Sequence, residues 1–245
     1  MKIAGKTALI TGGAHRVGKA ITMTLARAGA NVVVNYYSSD AAAQETVREA
    51  QALGVGGLAV QADVGDMEQA RALVAAAADQ FGTVDILVNS ASIWQQTPLP
   101  MGDFAGWHRV LGVLLNGTMY LADAVAPMMQ ARGEGEMVNI VDLAAWKPFV
   151  GYVAHSVGKA GLLALTRSLA IELAPVVNVN AVAPGPVLPP PDYSQGQIDR
   201  VAGRTLKGRW GAAQDVADAV RFLVEADYIT GEVIVVDGGE RLGPA

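Results

Sequence analysis

The stretch Thr7-Ala8-Leu9-Ile10-Thr11-Gly12-Gly13-Ala14-His15-Arg16-Val17-Gly18 sets how the rest of the chain is read. A short strand-like run enters a glycine-rich turn, and Lys19 to Ala28 behind it carries the apolar spacing of a helix that stops at Gly29. Glycines let a backbone approach a pyrophosphate closely, and a helix N-terminus offers unpaired N–H groups and a positive dipole end. The expected ligand is a dinucleotide. A rival reading exists, because Gly13 to Lys19 nearly spells the phosphate loop of an NTPase. That loop needs Ser or Thr at its next position to hold Mg²⁺, whereas this chain has Ala20, and no later strand ends in a clear Walker-B aspartate.

Working outward, the same alternation repeats. Asn31 to Asn35, Gly57 to Gln61, Ile86 to Asn89, Met137 to Val141, Val177 to Val182 and Val233 to Val236 are short β-branched runs, separated by stretches with helical periodicity. Strands alternating with amphipathic helices predict a doubly wound α/β fold, a parallel sheet covered on both faces. No linker-like tract or repeat divides residues 1–245, so one domain is expected. The proline-rich segment Pro184 to Gln197 cannot donate into a helix or a central strand, so a substrate loop is expected at about 185–210, beyond a strand end where such sheets bind ligands.

Composition narrows the function. A chain that is 51% hydrophobic and 17% charged is not intrinsically disordered, and zero cysteine removes thiolate, Fe–S and Cys-zinc chemistry. No His/Glu cluster has ligand spacing, so no metal is expected. With 23 acidic against 18 basic residues, a net charge of -5 and no basic run, nucleic acid is not an expected partner. No apolar stretch is expected to approach the ~20 residues of a membrane span, and a cytoplasmic protein is expected. After the second strand, Asn35-Tyr36-Tyr37-Ser38-Ser39 offers no acid before Asp40 to hold a ribose 2′-hydroxyl. A 2′-phosphate is then not repelled, and Ser38, Ser39, His15 and Arg16 are available to it, which favours NADPH over NADH. The plain alternative is that the serines only open a turn.

Further motifs follow in order: Asp63-Val64, Asn89-Ser90-Ala91-Ser92, Asn116 in a helix, Lys159, Pro184-Gly185 and Asp237-Gly238-Gly239. Together with Gly12, Val17, Gly18, Tyr36 and Val187 they resemble the short-chain dehydrogenase/reductase family over nearly the whole chain. The resemblance implies a Rossmann domain with strand order 3-2-1-4-5-6-7, usually a homotetramer, that moves hydride between NAD(P)H and a small carbonyl, alcohol or imine. It places Gly12, Val17, Gly18, Tyr36, Asp63, Val64, Asn89, Ser90, Ala91, Lys159, Pro184, Gly185 and Val187 at the cofactor, with Lys159 on the nicotinamide ribose and Asn116 anchoring a water chain. The helix from Trp107 to Met129 is apolar enough to bury against a partner copy or against its own chain.

The departures from the family pattern carry the finer reading. The family's turn reads T-G-x-x-x-G-x-G, and Arg16 replaces the middle glycine, as in the pteridine reductases, which also carry an aspartate for the catalytic serine. Asp142 stands there. Trp94 matches an aromatic that stacks on the pterin, and Ser92 and Tyr152 lie at matching substrate positions. The family's Tyr-x-x-x-Lys becomes His155-x-x-x-Lys159, with the register checked by the offset of thirteen positions from Asp142 to His155. Positions four apart share a helix face, so His155 and Lys159 are expected at the nicotinamide edge, with Tyr152 about 60° away around the helix. The expectation is a pteridine-reductase-like reduction of C=N or C=O, with His155 or a water it orients as proton donor and Asp142 orienting the substrate. A general carbonyl or alcohol oxidoreductase and an NADPH binder without turnover are the alternatives.

Overall fold

The structure, a computed structural model, describes residues 1–243. Its strands are β1 (Thr7–Ile10), β2 (Asn31–Tyr36), β3 (Gly57–Gln61), β4 (Ile86–Asn89), β5 (Gly135–Ile140), β6 (Val177–Pro184) and β7 (Val233–Val236). All pair in parallel, in the order β3-β2-β1-β4-β5-β6-β7, as expected.

Strict alternation along each strand splits the core in two. Ala8, Ile10, Val32, Val34, Ile86, Val88 and Val138 face one layer, built from α1 (Arg16–Arg27), α2 (Asp40–Gln51) and α8 (Ala213–Glu225). Leu9, Val33, Leu87, Met137 and Val179 face the other, built from α3 (Met67–Phe81), α5 (Gly117–Arg132) and α6 (Val153–Leu173). Both faces of the central strands are covered, which is why β1 and β4 are buried along their whole length and mostly apolar, while the edge strands β3 and β7 are half-buried. The sheet order reverses between β1 and β4, so the crossovers there leave in opposite directions and open a crevice at the strand C-termini.

Three sequence expectations are corrected. The helix expected from Lys19 starts at Arg16, directly after the turn, and ends at Arg27 before Gly29, whose φ of +92° suits only glycine. The apolar helix read as Trp107 to Met129 runs from Ala105 to Arg132, as α4 (Ala105–Leu111), a π-helical segment Gly112–Asn116 and α5. Its 28 residues are long and apolar enough to cross a bilayer, contrary to the sequence reading. Half of its most apolar window is nonetheless buried inside the molecule, where Leu121, Val125 and Met129 pack on the sheet. The proline-rich segment is also more regular than expected. Pro184 ends β6 two residues beyond Val182, the last to pair with β5, so its missing N–H breaks no bond of that ladder. Within the expected loop, α7 (Gln195–Ala202) starts at a capping box in which Ser194 and Gln197 exchange side-chain and backbone hydrogen bonds.

Candidate active site

The glycine turn is held in place by its neighbours on the sheet. Thr11 Oγ1 accepts from the Ser90 and Ala91 N–H groups at 2.9 and 3.0 Å, tying the end of β1 to the end of β4. Gly12 has φ +61° and its N–H donates to Asn35 Oδ1 at 3.4 Å, while the Asn35 amide donates to the Ala62 carbonyl at 3.1 Å. A Cβ on Gly18 would lie 2.1 Å from the Gly12 carbonyl oxygen, so this contact requires glycine. The turn thus presents the N-terminus of α1, with His15 as its exposed cap and Val17 half-buried in the first turn. Arg16 is the one non-glycine residue in the left-handed region among the described residues, at φ +48°. That conformation costs a side-chain-bearing residue about 1–2 kcal/mol. The guanidinium spans the crevice and donates to the Leu188 carbonyl at 2.9 Å.

Beside the turn lies a pocket of about 460 Å³ lined by Asn35, Tyr37, Ser38, Asp63, Val64, Ala91, Ser92 and Arg109, among others. Arg109 Nη1 donates to Asp63 Oδ2 at 2.5 Å, and its guanidinium carbon sits 5.1 Å from the Tyr37 ring centre. Tyr36 is drawn away from this pocket. Its hydroxyl donates to Asp40 at 2.6 Å, and that hydrogen bond raises its pKa above the ordinary phenol value. Ser39 precedes α2 without a side-chain cap bond.

On the other side of the crevice, Asp142, Pro184 and Gly185 line a cavity of about 210 Å³, with Val187 buried just beyond. His155 Nε2 is 2.7 Å from Asp142 Oδ2, and Nδ1 is 3.3 Å from the Ile93 carbonyl oxygen. Both ring nitrogens therefore face acceptors, and the imidazole, 2% exposed, offers no free nitrogen to the cavity. Asp142 is the member of the pair that reaches it. Burial alone would push the Asp142 carboxyl up. The His155 hydrogen bond, the charges of Lys159 and His155, and the Ala144 N–H outweigh burial and hold the carboxyl below its usual range. Lys159 Nζ donates to the Ile140 carbonyl at 2.7 Å; burial lowers its pKa and Asp142 opposes that shift.

Trp94 covers this pair. Its ring stacks on Tyr152 at 4.2 Å and meets His155 edge-on at 4.8 Å and Phe149 at 5.7 Å. One buried side chain fixes the arrangement. Thr97 Oγ1 accepts from the Ala154 N–H at 2.9 Å, and its own N–H donates to the Gly151 carbonyl at 2.8 Å, pinning the segment after β4 to the start of α6.

The family model described as enoyl-(acyl carrier protein) reductase matches residues 12–240. The chain belongs to the short-chain dehydrogenase/reductase family. It is an oxidoreductase by that membership. A short-chain relative, the 3-oxoacyl-[acyl-carrier-protein] reductase FabG of Staphylococcus aureus, is 34% identical over 241 residues, 96% of this chain and 97% of the relative. Among solved structures, FolM alternative dihydrofolate reductase 1 from Brucella canis, complexed with NADP, is 33% identical with a TM-score of 0.90, covering 99% of this chain and 96% of that one. A short chain dehydrogenase from Burkholderia cenocepacia in complex with NADP is 33% identical with a TM-score of 0.91, covering 98% and 100%.

Against the short-chain dehydrogenase/reductase pattern, three expected site residues are placed elsewhere. Asn116 is exposed at the end of the π-helical segment. The wide turn carries Leu114 inward instead, onto Ala154, and a Cβ on Gly158 would touch it at 3.0 Å. The face that would carry a water chain is apolar. Asn89 turns into the sheet, where its amide donates to Asn139 Oδ1 at 2.9 Å and its own Oδ1 has no partner among the described residues. Ser92 lines the Asp63 pocket, away from Asp142. Arg109, Asn35, Thr11 and Thr97 were not singled out from sequence, because their partners lie far along the chain, 46 residues away for Arg109 and Asp63.

Proposed function

We propose that the protein is an NADPH-dependent reductase that acts on a C=N bond of a flat, nitrogen-rich ring of the reduced-pterin kind. The observation that carries this reading is an ionised carboxylate, Asp142, at the cavity beneath an aromatic cluster of Trp94, Tyr152 and Phe149. A carboxylate accepts two parallel N–H bonds from an amino-bearing ring, and the indole supplies a stacking face. A simple ketone uses neither.

The residues present fit a nicotinamide dinucleotide. The turn at Gly12 to Gly18 and the α1 N-terminus would take the pyrophosphate. The Asp63, Val64, Ala91 and Arg109 pocket would take the adenine end, and Lys159 the nicotinamide ribose. Ser38 at that pocket's rim, with Arg16 and His15, supports a 2′-phosphate. NADPH bound there would supply the hydride to carbon. The proton for nitrogen comes from the protein: His155, with a proton on each ring nitrogen as its two acceptors allow, gives one across the 2.7 Å bond to the ionised Asp142, which passes it to the substrate nitrogen and is a carboxylate again. His155 is thus a positioning and proton-storing residue that acts through Asp142. With Leu114 where a water chain would run, resupply comes through the cavity mouth. The homotetramer belongs to this reading as well.

The test is NADPH oxidation with a dihydropterin against a 3-oxoacyl thioester such as acetoacetyl-CoA. The reading expects the dihydropterin to be preferred by at least about 10²-fold in kcat/KM, roughly what losing a built hydrogen-bonding site costs. Preference for the thioester would replace it with the second reading, favoured by the activity named for the Staphylococcus relative. Tight NADPH binding with neither reaction would leave a cofactor binder.

A further inference from the structure

The pocket beside the glycine turn carries a charge that the chemistry above does not use. Among the described residues that line it, Arg109 is the one cation and Asp63 the one anion. They come from separate elements, Asp63 from the turn after β3 and Arg109 from α4, 46 residues on. The end of β2 brings Tyr37 and Ser38 to the same pocket.

Arg109 is held on two sides. Nη1 donates to Asp63 Oδ2 at 2.5 Å, and the guanidinium carbon lies 5.1 Å from the centre of the Tyr37 ring. Asp63 is fixed in turn, because its Oδ1 accepts from the Gly65 N–H at 2.9 Å. The remaining guanidinium N–H groups have no hydrogen-bond partner among the described residues, and the Arg109 side chain keeps 35% of its exposure, so a ligand can reach them. A planar fork already fixed along one edge and one face loses little freedom when it meets a phosphate.

The other cation near the turn is committed elsewhere. Arg16 donates to the Leu188 carbonyl at 2.9 Å, beyond the end of β6, and does not line this pocket. In a dinucleotide fold the second strand ends at the adenosine ribose, where an arginine accommodates a 2′-phosphate. Here Ser38, Ser39 and Asp40 follow that strand and bring no cation. A phosphate placed there also faces the Asp63 carboxylate, so it needs a positive charge between the two. The guanidinium that meets this need arrives from α4.

We propose that Arg109 is the residue that selects NADPH over NADH, with its free N–H edge on the 2′-phosphate and with Asp63 and Tyr37 holding it in place. The proposal rests on the reading that a nicotinamide dinucleotide lies in the crevice with its adenine end in this pocket. Arg109 touches no reacting atom and sets a ratio of affinities, not a rate.

The experiment is titration calorimetry of the full chain with adenosine 2′,5′-bisphosphate and AMP, which differ by the 2′-phosphate alone, and with NADPH and NADH. The proteins are the wild type, Arg109→Ala, Arg109→Met, Arg109→Lys and Arg16→Ala. Hydrogen bonds to a charged group are worth roughly 10–150-fold in affinity, and partial exposure places this one at the lower end, about 10-fold. The wild type is expected to favour the bisphosphate over AMP by at least that factor, less so in raised salt. Arg109→Ala should bring the ratio to about one or below, since Asp63 then faces the phosphate uncompensated, while AMP affinity changes less than about threefold. Arg109→Met, which keeps the stem against Tyr37, should do the same. Arg109→Lys, a point charge without the fork, should give an intermediate ratio, and Arg16→Ala should keep the full one. A ratio that survives in Arg109→Ala and Arg109→Met, or that falls in Arg16→Ala instead, overturns the assignment to Arg109 and leaves the NADPH reading standing. A wild type that binds the bisphosphate no tighter than AMP, and NADPH no tighter than NADH, overturns both.

Discussion

Replacing Asp142 by Asn tests the site most directly, because the change keeps the shape and removes one charge. The Asn oxygen still accepts from the Ala144 N–H, now 2.8 Å from Oδ1. What disappears is the charge-assisted bond to His155 at 2.7 Å and the negative charge facing buried Lys159. A hydrogen bond to a charged group contributes about 1.5–3 kcal/mol. The Asp142 side chain keeps 24% of its exposure, which places the expected loss at the lower end, about 2 kcal/mol at pH 7. The sign with pH is fixed by the depressed carboxyl. Its stabilisation is present above the unfolded aspartate pKa of about 3.9 and is lost as pH falls through the lower folded value, so wild type and variant converge in acid. On activity, loss of a proton-delivering group costs about 10²–10⁴ in kcat. NADPH affinity should change less than threefold, since Asp142 contacts no part of the Thr11 to Gly18 turn. Urea unfolding at pH 7 and pH 3.5, with NADPH oxidation and NADPH titration, reads all of these. A variant that keeps more than a tenth of kcat, or whose stability deficit is as large at pH 3.5 as at pH 7, would refute the assignment.

Two other perturbations probe regions away from the chemistry. Gly18→Ala puts a methyl 2.1 Å from the Gly12 carbonyl oxygen, so the turn must shift; we expect about 1–3 kcal/mol of destabilisation and a dinucleotide affinity at least tenfold weaker by calorimetry, and an unchanged affinity would show that the turn does not hold the cofactor. Glu136 lies at the far end of the sheet, where burial pushes it up to about 8 and Oε2 has no hydrogen-bond partner among the described residues. A carboxyl raised in the fold favours folding only below its unfolded pKa, and that contribution is lost as pH climbs toward 8. At about 1.4 kcal/mol per unit, the strain reaches roughly 3 kcal/mol by pH 7. Glu136→Gln should therefore raise the urea midpoint at pH 8 and flatten its slope between pH 5 and 8; an identical slope would refute the cause.

The sheet was legible because burial on both faces writes each parallel strand as a short apolar run, and the turn at Thr11 to Gly18 because only glycine fits its closest contact. The Asp142–His155 pair was legible as a spacing. Its orientation was not, since the Ile93 carbonyl that occupies Nδ1 comes from a different segment. Asn116 was misplaced for a related reason. The helix from Ala105 to Arg132 is apolar on most sides, so nothing in its periodicity announces that a π-helical segment turns Leu114 inward and Asn116 outward. The Ser194-x-x-Gln197 box at the head of α7 was a readable signal hidden by the prolines before it.

The division of the core by the sheet implies two partly independent opening modes. The cofactor turn leads into α1, which packs with α2 and α8 in one layer, whereas His155 and Lys159 sit on α6 in the other. Amide hydrogen exchange should then show two protection groups that share the sheet but differ in opening free energy. A bound dinucleotide, held by the turn before α1 and by Lys159 on α6, would slow exchange in both layers, whereas a substrate would slow it in the layer of α6. The two ligands would leave different footprints across the same seven strands.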